Sequence, residues 1–403
     1  MTNASVDRAV DAFYATRGGA PLWLRDGANT AAAREVIAVL ERAALDGMNS
    51  GPLFANEARA LLARATAGDP EALARADRLL SIAWVRYVGA LQTPPPGMVY
   101  GDAWVAPRQQ TAQQILMLAA AAPSLTSHVR QVSAVNPIYA RLRDAAWATM
   151  QANGGSLDPR ALVNLERARE MPVQKRYIMV DTAGARLYMI EDGRIVDSMR
   201  VIVGKPDPSK QTPMLASTIY YTTLNPYWHV PGDLIRTLIA PNVLEKGVSY
   251  LTERGYQVME PGSNDLLNPA KVDWRAVAAG REQVRVRQLP GPGNSMGRMK
   301  IGFPNDQDIF LHDTPVKELF AQSDRMLSNG CVRLQDAQRL GRWLLGRDPV
   351  APSSAPEQNV ALPTPVPIYL TYLTAQPDGS RLTFLDDVYG RDAQRLAQTA
   401  ALR

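Results

Sequence analysis

Cysteine and histidine are nearly absent from this chain. One Cys and three His occur in 403 residues. A single thiol excludes an intramolecular disulfide and excludes the Cys-rich zinc sites. The histidines, His128, His229 and His312, are scattered, and no HxxxH or HExxH pair occurs. A transition-metal centre is therefore not expected, and no cofactor is called for. No run of about 18 apolar residues exists, so no transmembrane helix is expected. The N-terminus "MTNASVDRAVDAFYATRGG" lacks a basic segment followed by an apolar one. Either the protein stays in the cytoplasm or an export signal is missing from this version of it. No Lys/Arg block marks a nucleic-acid arm, although the net charge is +5. No internal repeat is evident.

The remainder is ordinary for a folded protein, with 46% hydrophobic and 21% charged residues. The length suggests two or three domains. Residues 1–170 have a helical texture. "SVDRAVDAFYATRGG" predicts a helix capped at Ser5 and stopped at Gly18-Gly19. "TAAAREVIAVLERAALDG" predicts one from Thr30 to Gly47. Asp69 and Pro70 form a cap and first turn for a helix whose apolar positions recur every three or four residues, from Leu73 to Leu91. Pro94–Pro96 should end it. Two further helices fit 111–121 and 137–152. Trp23, Trp84, Trp104 and Trp147 are read as core of this unit.

From about Lys175 the pattern changes to strands. "KRYIMVDTAGARLYMIEDGRIVDSMRVIVG" alternates, with turns at Ala183-Gly184 and Asp192-Gly193. Further strands fit 217–223, 298–303, 308–312, 330–334, 366–374 and 381–385. A helix capped by Asp336 fits 336–345. The stretch 232–297 is long and mixed, as lids and binding elements often are. "GRDPVAPSSAPEQNVALPTPVP" reads as a proline-rich connection. The fold class is α+β and multidomain: an all-helical scaffold over 1–170, a β-rich domain over 171–392 with an insert at 232–297, and a tail over 393–403.

The lone thiol sits in "SNGCVRL" (Ser328–Leu334), nineteen residues after the His312 of "LHDTP". A buried, inert Cys is one explanation. Nucleophilic chemistry is the other. His312 ends a predicted strand and Cys331 begins another, so two adjacent strand ends bring an imidazole to a thiol. Gly330 lets backbone N–H groups approach a substrate carbonyl. Arg333, two residues on, shares the strand face of Cys331 and suits a substrate carboxylate. Residue types and spacing alone point to acyl transfer without settling it.

"HDTP" followed by "SNGCVRL" resembles the signature of the L,D-transpeptidases, bacterial enzymes with a YkuD-type catalytic domain. "RLYMIEDGRIVDSMRVIVGKPDPSKQTPML", with its Gly-Lys and Thr-Pro turns, resembles the first strands of that domain. "NPYWHVP", "FPNDQDIFLHDTP" and "PVPIYLTYLTA…LDDVYGRD" are similar to the large subfamily of YcbB-like enzymes, which pair a helical scaffold with a capping insert. The resemblance implies a mixed β-sandwich or barrel, Cys331 as nucleophile, and His312 as base, oriented by a main-chain carbonyl. It implies oxyanion or turn roles for Asn329, Gly330 and Ser328, with the Ser328 hydroxyl bonding either the turn or the substrate. Arg333, Asp313, Thr314, Phe310, Tyr227 and Trp228 are its candidates for substrate contact. Many members carry His where this chain has Asn329, which leaves the base to His312. Large relatives also insert a peptidoglycan-binding module where residues 152–172 leave no room for one.

The implied activity is 3→3 crosslinking of peptidoglycan stem peptides through a thioester, with release of D-Ala and attack by a diaminopimelate amine. Carbapenems are the implied inhibitors. A periplasmic location, a monomeric state and the absence of nucleic-acid partners complete the expectation. A carboxypeptidase or endopeptidase, a 1→3 crosslinking variant and a non-catalytic peptidoglycan-binding protein are the alternatives. Order of residues argues against papain-like proteases, in which Cys precedes His. Spacing argues against sortases.

Overall fold

The computed structural model describes residues 2–93, 97–171 and 175–401. Pro94–Pro96, expected to end a helix, lie outside the described residues. Eight helices come first: α1 Asn3–Thr16, α2 Ala31–Glu41, α3 Gly51–Thr66, α4 Pro70–Leu91, α5 Ala112–Ala121, α6 Leu125–Ala134, α7 Pro137–Ala152 and α8 Pro159–Arg169. Asp69 caps α4 through Ala72 N–H, and Thr111 with Gln114 forms a capping box on α5. Thr2, not Ser5, caps α1, and α2 stops at Glu41, short of Gly47. The core of this unit is not purely apolar. The Asp77 carboxylate of α4 accepts the N–H groups of Leu22, Trp23 and Leu24 at 2.7–2.8 Å and the Tyr14 hydroxyl at 2.5 Å. Trp23 and Trp84 are fully buried, whereas Trp104 sits in a short turn and is half exposed, because no helix covers it.

Fifteen strands follow or interleave: β1 Val99–Tyr100, β2 Arg176–Asp181, β3 Arg186–Glu191, β4 Arg194–Gly204, β5 Leu215–Leu224, β6 Trp228–His229, β7 Tyr256–Met259, β8 Arg285–Gln288, β9 Met299–Ile301, β10 Leu311–His312, β11 Met326–Ser328, β12 Val332–Leu334, β13 Gln358–Thr371, β14 Ala375–Asp378 and β15 Arg381–Phe384. Eight of them close a ring in the order β5-β13-β2-β3-β4-β12-β10-β9, with β9 returning to β5. Two pairs, β13 with β2 and β10 with β12, are parallel. Along β2, Ile178 and Val180 point into the barrel while Tyr177 and Met179 point out against the helices. Both faces are covered, which explains the continuous apolar run "YIMV". Helix α8 is tied to the strand domain by Asn164 to Thr374 (2.9 Å) and by a buried Arg167–Asp392 ion pair (2.5 Å).

Between β5 and β9 the chain leaves the barrel. Strands β6, β8 and β7 form a separate sheet with short helices, around a core of Ile235, Val258, Trp274 and Val286. The proline-rich connection is in part a strand. β13 begins at Gln358 and takes up Pro363, Pro365 and Pro367, with a register shift between Ala361 and Val366. Residues 308–310, expected in a strand, are irregular chain between a turn at 306–307 and β10. Among the described residues no helix is long and apolar enough to cross a membrane.

Glu170, which ends α8, is 2% exposed and neither carboxylate oxygen has a hydrogen-bond partner among the described residues. Burial pushes its carboxyl up to about 8, against the pull of Arg167 and Arg169. A folded-state value above the ordinary 4.5 gives stability that is full at acid pH and drains away as pH rises toward 8. Glu170→Gln should flatten that decline and raise stability at pH 9 by about 2–4 kcal/mol. Chemical denaturation at pH 5, 7 and 9 measures it; parallel profiles for the two proteins would refute the assignment.

Candidate active site

Cys331 occupies the last position of a turn whose geometry only a few residues permit. Gly330 has φ +122°, and a Cβ there would stand 3.2 Å from the Ile309 side chain. The turn is pinned from behind. Thr212 Oγ1 donates to Gly330 O at 2.7 Å and accepts from Gly204 N–H at 2.9 Å. Lys205 N–H donates to Ser328 O at 3.0 Å. Gly204 admits no side chain, since a Cβ would meet Lys210 O at 2.0 Å. The Gly-Lys and Thr-Pro turns thus brace the nucleophile turn.

Ser328 is buried inside this turn. Its hydroxyl donates to Cys331 O at 2.6 Å and accepts from Gly330 N–H at 3.1 Å. Gly330 N–H is therefore engaged and is not a spare oxyanion donor. The N–H groups of Asn329 and Cys331 have no acceptor among the described residues. Ser328 shapes the turn instead of lining the cleft.

The parallel pairing of β10 with β12 sets Leu311 opposite Val332 and His312 opposite Arg333. Leu311 and Val332 fill the barrel. His312 and Arg333 consequently share the other face, and Cys331, two residues before Arg333, lies diagonal to His312. His312 is buried, and its Nδ1 is 2.6 Å from Asp313 O. A carbonyl only accepts, so Nδ1 carries the proton and Nε2 keeps the lone pair. No hydrogen bond joins Cys331 to His312. The thiol is directed to Asp308 O at 3.6 Å.

The charges of the pair follow from burial. Burial, then the Arg333 guanidinium, pull the His312 imidazole down to about 4, against the Asp313 carbonyl and carboxylate. Burial pushes the Cys331 thiol up to about 11, against the Phe310 N–H directed at it and the Lys300 and Arg333 charges. At neutral pH the resting site is thiol and imidazole, both uncharged.

The remaining candidates separate. Phe310 lies in the cleft, its ring 5.7 Å from that of His312. Arg333 is partly buried and has no acidic partner among the described residues. The Asp313 carboxylate is turned away, to Lys317 Nζ at 2.6 Å and Arg298 N–H at 3.0 Å, so its side chain does not serve the cleft. Thr314 is buried and its hydroxyl accepts from Val316 N–H, a turn contact. Trp228 packs into the core of the β6–β8–β7 unit, and Tyr227 lies under Arg287 at 4.4 Å. Among the described residues neither makes a hydrogen bond or ring contact with Cys331, His312 or Arg333. His229 pairs with Glu357 at 3.3 Å and is exposed.

Three residues outside the sequence reading contribute. Thr212 holds the turn. Asn305 builds the 303–310 loop, accepting from Gln307 and Ile309 N–H and donating to Phe303 and Ile309 O, and so aims Asp308 O and Phe310 N–H at the sulfur. Lys300 is the register partner of His312 on β9. The "FPN" triplet was the only signal for Asn305; nothing short of strand register marks Lys300.

Thr212→Val keeps the shape and leaves Gly330 O and Gly204 N–H unsatisfied. It should cost about 1–3 kcal/mol in denaturation and slow Cys331 alkylation more than a surface change of equal cost. The pH profile tests the neutral pair directly. Iodoacetamide labelling of Cys331 should rise about tenfold per pH unit from pH 7 to 10, with no plateau near neutrality. A plateau below pH 7 would indicate a preformed thiolate–imidazolium pair.

Comparison with known proteins bears on the whole chain. Residues 8–145 match a scaffold domain and residues 175–352 match the L,D-transpeptidase catalytic domain, YkuD. A Haemophilus influenzae protein with the provisional name L,D-transpeptidase is 26% identical over 392 residues, covering 95% of this chain and 78% of its own. Among solved structures, an L,D-transpeptidase from Mycobacterium smegmatis aligns at 13% identity and TM-score 0.25 over 49% of this chain and 58% of its own. One from Enterococcus faecium aligns at 10% identity and TM-score 0.24, over 49% of this chain and 50% of its own. The chain thus spans little more than half the length of those structures, and the assignment rests on the domain matches. The chain thus carries a scaffold domain followed by a YkuD-type L,D-transpeptidase catalytic domain.

Proposed function

We propose that this protein joins peptidoglycan stems by acyl transfer through Cys331, forming 3→3 crosslinks. The observation that carries the reading is the pairing of a lone thiol, on a braced glycine turn, with a buried imidazole whose Nδ1–H is fixed by Asp313 O and whose Nε2 is left to accept.

The steps follow from the charges. Sγ leaves Asp308 O as the stem peptide enters, and the thiol proton passes to His312 Nε2 as sulfur attacks the carbonyl after the third stem residue. Because burial holds both groups neutral, charge develops only when the substrate supplies the carbonyl to receive it. The N–H groups of Asn329 and Cys331 receive the oxyanion. Collapse breaks the C–N bond, and the proton on Nε2 goes to the departing D-Ala amine. The diaminopimelate amine of a second stem then attacks the thioester carbonyl, the C–S bond breaks, and the thiol regains its proton. Amide energy passes from one bond to the next, so no nucleotide or cofactor is consumed.

Arg333, unpaired beside the thiol, takes a donor carboxylate. Residues 1–170 serve as scaffold, and the insert at 232–297 acts as a cap governing which bond and which acceptor enter. The segment returning from that insert abuts Asp313, since a Cβ on Gly297 would collide with its carboxylate. Cap position is thereby coupled to the residue that orients His312. The substrate puts the enzyme in the periplasm, and a carbapenem should acylate Cys331.

Incubation with disaccharide-tetrapeptide, read by mass spectrometry, tests this. Dimers lacking one D-Ala are expected, and Cys331→Ala should abolish them. His312→Ala should lower the rate by about 100-fold or more. Trimmed monomers alone would make the protein a carboxypeptidase. A folded protein with no Cys331-dependent product from any stem would overturn the reading.

A further inference from the structure

Three adjacent strands present charge side by side. Lys300 on β9 is opposite His312 on β10, and His312 is opposite Arg333 on β12. Partners across a sheet project to one face. The alternate residues Ile301, Leu311 and Val332 fill the barrel, so this row faces outward on the side of Cys331. Lys300 Nζ lies 4.3 Å from the Phe310 ring centroid, and its charge is felt at both Cys331 and His312.

Neither cation of the row is neutralised. Lys300 and Arg333 have no ion pair among the described residues. Asp313, next in sequence to His312, is committed to Lys317. Asp308, the acid felt at the thiol, is exposed on its loop and makes no ion pair. Two strand spacings separate Lys300 from Arg333, roughly 10 Å. Two partly buried cations flanking an uncharged reacting pair favour a ligand that carries two anions.

We propose that Lys300 is a specificity-determining residue: it receives a substrate carboxylate on the side of His312 opposite Arg333, so that the site selects acyl donors with two free carboxylates. This rests on the acyl-transfer reading and narrows its donor to a dicarboxylate peptide. A donor with one of those carboxylates amidated is the disfavoured substrate.

The single thiol allows a test that needs no turnover. Iodoacetate and iodoacetamide alkylate sulfur with loss of iodide and differ in charge. Their rate ratio at Cys331, relative to an uncharged small thiol, should favour iodoacetate in the native protein. Lys300→Gln should lower that ratio about 5- to 10-fold, and Lys300→Arg should restore most of it. An equal slowing with both reagents would assign Lys300 to the thiolate alone and overturn the proposal, as would an unchanged ratio. With stem peptides, Lys300→Gln should raise KM for the free-carboxylate donor and leave KM for its amidated counterpart unmoved; equal effects on both would also overturn it. A shifted alkylation ratio with no turnover of any stem would remove the acyl-transfer reading while leaving the anion site standing.

Discussion

The hydrogen bond from Thr212 to the carbonyl of Gly330 joins parts of the chain 118 residues apart. Through the same hydroxyl it reaches Gly204, at the end of β4. Three segments therefore meet at one oxygen atom, directly behind the nucleophile. The contact is buried and both partners are backbone groups that water cannot reach. Such a bond is worth little net in itself, but leaving its partners unmet is costly. Its geometry sets where Cys331 stands relative to β10, and hence relative to His312. Everything chemical at this site depends on that fixed point.

Around it the protein withholds charge. A thiol held high and an imidazole held low leave both groups uncharged near neutrality. Enzymes with a preformed thiolate–imidazolium pair carry their nucleophile ready at all times, at the risk of oxidation and stray alkylation. Here the sulfur is capped by Asp308 O and the imidazole by burial, with fixed cations nearby. A ligand that displaces that cap and brings its own anions changes the local balance.

Much of the fold was legible because local chemistry and tertiary placement agree. Asp69-Pro70 opens α4 and Asp192-Gly193 closes a hairpin, each for reasons internal to a few residues. Helices α3, α6 and α8 were not legible. α3 opens with Gly51-Pro52, which reads as a breaker, and its Ser50 makes no side-chain cap. α8 lies in a stretch to which the sequence reading assigned no element, and its burial is decided by Thr374 and Asp392, far along the chain. In the site, Cys331, Gly330 and His312 stood out as rare residues in a distinctive spacing. Asp313 was read as a substrate contact, whereas its carboxylate is held by Lys317 and its carbonyl supplies the main-chain orienter of the imidazole. Ser328 was read for the turn or the substrate, and its hydroxyl is consumed by its own turn. Lys300 had no local mark at all, since only the pairing of β9 with β10 brings it to His312.

The ring of strands has a consequence for the order in which the molecule comes into being. β13 lies between β5 and β2, yet it is made after every other strand of the barrel. A chain extended only as far as the nucleophile would leave two long edges open, one on each side of the missing staple. Contacts so distant in sequence form late and slowly. The thiol is thus kept from its finished surroundings until nearly the whole chain is present.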